Sequence, residues 1–101
     1  MSNSETKICK NSRTTSVYYS GEPAQEYRCE VKISPETIIV EYDDAGETVQ
    51  YQGNNTGDGH FHLVCPDRKG SASLHMFPNS TLLVGCWVQE GIKGMWRIQL
   101  A

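Results

Sequence analysis

The sequence predicts an all-β domain, a single small antiparallel up-and-down β-barrel of about eight strands. Three observations carry this. Apolar and polar residues alternate through almost every segment: in EYRCEVKI (26–33), Tyr27, Cys29, Val31 and Ile33 share one face, with Glu26, Arg28, Glu30 and Lys32 on the other. Turn chemistry recurs at roughly 11-residue intervals along the whole chain. No dozen-residue window carries a helical period. A meander of this kind either closes on itself or splits into a β-sandwich; closure removes the exposed edges and is the favoured outcome.

The elements follow in order. Residues 1–12 are expected to be loosely ordered, and 13–101 to form the domain. TTSVYY (14–19) is the first strand, and Gly21 and Pro23 break the chain before 26–33, which Pro35 ends. TIIVEYDD (37–44) turns through Asp44-Ala45-Gly46 into ETVQYQG (47–53). GNNTGDG (53–59) reads as a connecting loop: it lacks the Lys-Ser/Thr of a phosphate loop and the spaced acids of an EF-hand. HFHLVC (60–65), SASLHMF (71–77), LLVGCWVQ (82–89) and MWRIQL (95–100) complete the set, joined by PDRKG, PNST and EGIKG.

Composition bounds the function. A chain of 101 residues forms one domain with one core. Its net charge is −3 and its nine Lys and Arg never cluster beyond Arg68-Lys69, so it lacks the basic footprint of a nucleic-acid binder. MSNSETK at the start resembles no secretory leader, and no apolar run reaches the roughly 20 residues of a membrane span; a cytoplasmic protein is expected. Cys9, Cys29, Cys65 and Cys86 contain no C-x-x-C pair and are expected to be reduced and buried, with a Cys9–Cys29 disulfide as the alternative for an exported chain. Two Asn-x-Ser/Thr triplets (54–56 and 79–81) have no leader to make them glycosylation sites.

Hairpin registers that keep one face apolar place the histidines. With Phe61 opposite Met76, His62 faces His75 and His60 faces Phe77. With Tyr51 opposite Phe61, Gln52 lies beside His60 and Gln50 beside His62. His60, His62 and His75 then share one polar face, while Cys65 points to the other. Three imidazoles in that arrangement make a candidate site for a divalent transition metal such as Zn²⁺, Cu²⁺ or Ni²⁺. The face lacks the carboxylate that usually orients a metal-bound histidine, and a plain solvated face is the simpler expectation.

LLVGCWVQ is apolar on both faces, so one side must pack inward and the other needs a cover. One register sets Trp96 across from the side-chain-free Gly85. The Gly94-Met95-Trp96 run resembles the G-x-W element of calycin barrels (lipocalins and avidins), where it lies on the first strand rather than the last. That resemblance implies an architecture and no transferred activity. The leading expectation is a non-catalytic binding module, with a homodimer as one form of it, that meets a protein partner or a small apolar ligand through Trp87, Trp96, Phe77, Leu83 and Arg97. A calycin-type carrier or sensor of small molecules is the second expectation, and a histidine-based metal protein the third.

Overall fold

The structure, a computed structural model, describes residues 6–101. Eight strands run in sequence around a closed barrel: β1 (Lys7–Tyr18), β2 (Gln25–Ile33), β3 (Thr37–Asp44), β4 (Glu47–Asn55), β5 (His60–Cys65), β6 (Gly70–His75), β7 (Leu82–Gln89) and β8 (Ile92–Gln99). Every pairing is antiparallel, and β8 returns onto β1 from Arg13↔Gln99 to Tyr18↔Gly94. That last ladder distinguishes the barrel from the sandwich. No helix among the described residues is long and apolar enough to cross a membrane.

The period of two decides the inside. Val31, Ile38, Val40, Tyr51, Leu63, Leu74, Leu83 and Ile98 are all 0% exposed. Each such side chain contributes on the order of 2 kcal/mol by leaving water. On β7 the odd positions Leu83, Gly85 and Trp87 face inward, and Leu82, Val84, Cys86 and Val88 form part of the outer wall. Strand β1 is unlike the others, because between Cys9 and Tyr18 its inward residues are the small hydroxyls Ser12, Thr14 and Ser16. Thr14 donates to the Cys29 sulfur at 3.0 Å and Ser12 to the Cys9 carbonyl at 3.1 Å, so these buried groups are satisfied. All four cysteines are free thiols; Cys9, Cys29 and Cys65 are inside, while Cys86 is exposed rather than buried.

The chain departs from the expected element boundaries where backbone pairing overrides composition. β1 begins at Lys7, with Lys7 to Cys9 paired to β2 and a bulge before Ser12. The chain end stitches this bulge in place: the Asn11 amide donates to the Ala101 carbonyl at 3.0 Å, and the Ala101 amide to Ser12 Oγ at 3.1 Å. Residues 7–12, expected to be loose, are therefore held in the barrel, and residues 1–5 of that segment lie outside the described residues.

Two hairpin registers are corrected. Phe61 faces Leu74 rather than Met76, and Leu63 faces Gly53 rather than Val49. Turn geometry is the reason. Lys69, at φ 50°, closes the Pro66–Arg68 turn so that Cys65 pairs directly with Gly70. The supposed loop 53–59 continues as strand to Asn55 and reverses over Gly57 to Gly59, where Gly57, Asp58 and Gly59 all have positive φ. Both displacements are even, so every side chain keeps its face.

Candidate functional site

In an up-and-down barrel the β1–β2, β3–β4, β5–β6 and β7–β8 connections gather at one end. Here the inward residues nearest that end are aromatic on several strands. Tyr18 closes β1, Tyr27 opens β2, Tyr42 lies near the end of β3 and Trp87 near the end of β7, with Trp96 from β8 beneath them. They surround an open cup of about 560 Å³, whose lining also includes Ser16, Gln25 and Gln89. Glu26, Asp43, Asp44, Ala45, Glu90 and Ile92 complete it toward the mouth.

The rings form one connected chain. Tyr18 meets Trp87 edge-on at 5.4 Å, Trp87 lies 6.4 Å from Trp96, and Trp96 meets Tyr42 and Tyr51 edge-on at 6.2 and 5.0 Å. Tyr27 tilts against Tyr42 at 5.0 Å. Edge-to-face contacts of this kind add about 0.5–1.5 kcal/mol each beyond burial. Hydrogen bonds fix several rings: Trp87 Nε1 donates to the Met95 carbonyl at 3.2 Å, and the Tyr51 hydroxyl to Gln89 Oε1 at 2.7 Å.

A glycine stands across the ladder from each indole, and at Gly94 it makes room for one. Gly94 lies opposite Trp87, and a Cβ on Gly94 would occupy the space of the Trp87 ring. Gly85 lies opposite Trp96, as the expected register has it. On β1, Ser16 pairs with Trp96, and its small side chain leaves the cup open above that indole.

Electrostatics at the mouth are dominated by carboxylates. Arg68, from the β5–β6 turn, donates to Asp44 and to Glu47, each at 2.9 Å, and so ties that turn to the β3–β4 hairpin where β4 and β5 no longer pair. The Asp44 and Glu47 side chains are 52% and 76% exposed, so the clasp contributes little to stability.

Burial pushes the Tyr27 phenol up to about 12, against a smaller opposing influence of Ser16 and Trp96, and it raises the phenols of Tyr42 and Tyr51 as well. The sign follows directly. Phenols of the unfolded chain ionise near 10, so above that pH the unfolded state holds fewer protons than the folded one and stability falls. Stability from this source is fully present below pH 10 and is lost as pH rises toward 12. The expected slope is up to about 1.4 kcal/mol per pH unit for each phenol. Urea unfolding followed alongside tyrosinate absorbance checks it. A midpoint unchanged through this range, or a slope unaffected by Tyr27→Phe, contradicts the assignment.

The five residues expected to share one contact surface are dispersed. Trp87 and Trp96 sit together, but inside the barrel, at 6% and 3% exposed. Leu83 is core, not surface, because the odd face of β7 turned inward. Arg97 lies on the outer wall between Thr15 and Val84. Phe77 is 80% exposed in the β6–β7 loop, at the end opposite the cup; β6 stops at His75 rather than at 77, two residues before Phe77 and Pro78.

The histidines are on one outer face, as alternation requires, in a different arrangement from the expected one. His60, not His62, faces His75; their Nδ1 atoms are 2.9 Å apart and their rings meet edge-on at 5.0 Å. His62 faces Ser73 and Asn54, and Gln52 faces Val64, so neither Gln50 nor Gln52 borders the histidines. Among the described residues no three His, Cys, Asp or Glu side chains come close enough to hold a metal ion.

Tyr18, Tyr27, Tyr42 and Ser16 did not emerge from the sequence as site residues. Their signal was there: each is an inward residue near the same end of its strand. Comparison of the chain with protein-family models, with curated proteins and with solved structures finds no match.

Proposed function

We propose that this chain is a non-catalytic carrier or sensor that takes a small, partly apolar molecule into the cup. The observation that carries the reading is the open cavity of about 560 Å³ floored by Trp96 and walled by Trp87 and tyrosines. Its size is that of small-molecule sites, which span roughly 300–1,000 Å³. Its chemistry is also theirs: apolar rings supply desolvation, and a few polar groups, Ser16, Gln25 and Gln89, are placed to fix orientation. Among the described residues no histidine, cysteine or lysine lines the cup, and its raised phenols stay protonated at neutral pH, which favours binding over bond making.

The neutral probe N-phenyl-1-naphthylamine tests this. Its emission should rise on titration and saturate at equimolar protein. Ile92→Trp, which places an indole at the mouth, should weaken binding at least about tenfold. Met95→Trp, on the exposed outer wall, should leave it unchanged. No saturable binding to the wild-type protein, or equal loss in both variants, refutes the cup as the site.

A further inference from the structure

We propose that the ligand of the cup is an organic cation, a compact apolar body bearing an ammonium group. The inference rests on the reading of the cup as a small-molecule site and names the class of molecule it selects. Two features of the lining converge on it. The first is the aromatic lining, where the rings of Tyr18, Tyr27, Tyr42 and Trp96, a ring type whose faces are electron-rich, surround one cavity. Such faces attract ammonium groups, most strongly where water is excluded, and sets of them recognise quaternary ammonium ligands.

The second is charge. Glu26, Asp43, Asp44 and Glu90 line the cup, and among the described residues no lysine, arginine or histidine does. Of the cations near the rim, Arg68 is engaged by Asp44 and Glu47 at 2.9 Å, while Lys69, whose carbonyl accepts from the Glu90 amide, and Lys93, next to Ile92, stand outside the lining. Low-dielectric walls focus the field of this excess of carboxylates into the cavity. An anionic ligand meets like charge on entry, and a neutral one gains from the rings alone. An inorganic ion is not the fit either, since no three ligating side chains converge among the described residues. A diffuse negative field over aromatic faces suits a bulky, weakly hydrated cation.

Trp87 and Trp96 are the two tryptophans of the chain, and both line the cup, so intrinsic fluorescence reads its occupancy. Titrations would compare benzyltrimethylammonium with its neutral carbon isostere neopentylbenzene and with phenylacetate. The cation should bind at least about tenfold tighter than the isostere, with phenylacetate weakest, and high salt should shrink the difference. The double variant Glu26→Gln/Glu90→Gln should lose most of that preference while keeping its affinity for N-phenyl-1-naphthylamine. If the isostere binds within about twofold of the cation, or phenylacetate binds best, the cation assignment is overturned and the cup stands. If N-phenyl-1-naphthylamine also fails to bind, the cup itself falls.

Discussion

Replacing Trp96 by alanine is expected to lower folding stability by about 3–5 kcal/mol, the range for emptying a large aromatic from a packed interior. The indole is 3% exposed and contacts three other rings, those of Tyr42, Tyr51 and Trp87. Opposite it stands Gly85, which has no side chain to collapse into the void. For a domain of this size the midpoint of thermal unfolding should fall by at least about 12 °C. Trp96→Phe keeps one ring against Tyr51 and should lose markedly less. Circular dichroism melts of the three proteins check this, with near-ultraviolet signal reporting the coupled rings. A loss below about 1 kcal/mol for the alanine variant would show that the ring chain does not support the barrel end.

Gly85→Ala adds a single methyl group and is expected to cost about 3 kcal/mol or more, above the usual figure for modest overpacking. A Cβ at this position would fall on the carbonyl of Ser73 and against the Leu74 Cα, both backbone of β6. A flexible side chain could swing aside; a paired strand cannot without opening the β6–β7 ladder. The adjacent change Cys86→Ala, on the exposed outer face, should stay within about 0.5 kcal/mol of the wild type. Parallel urea titrations decide it. Equal stability of the two variants would mean that β7 and β6 approach less closely at Gly85 than the geometry requires.

These two sites also show how far the sequence could be read. The opposition of Trp96 and Gly85 is one of the registers that the two strands admit, and the β7–β8 ladder adopts it. The same kind of argument misplaced His62 and Gln50, because the β5–β6 and β4–β5 connections are shorter than their glycine and proline content implies. Keeping one face apolar tests only parity: displacements of two and four residues satisfy it equally well. The histidines therefore fell on the correct face with the wrong neighbours. The cup was missed for another reason. Tyr18, Tyr27 and Tyr42 lie on three strands, and alternation within any one of them says nothing about which aromatic ends converge.

Alternation, turn spacing and the lack of helical period are local properties, and they determined the all-β class, the number of strands and the inward or outward face of most side chains. Closure of β8 onto β1, the inner face of β7 and the gathering of five rings at one mouth were decided only in the tertiary structure. β7 is apolar on both sides, and its orientation agrees with Trp87 needing the space of Gly94 across the β7–β8 ladder. A single strand carries no information on that choice, because the space an indole needs is supplied by its neighbour.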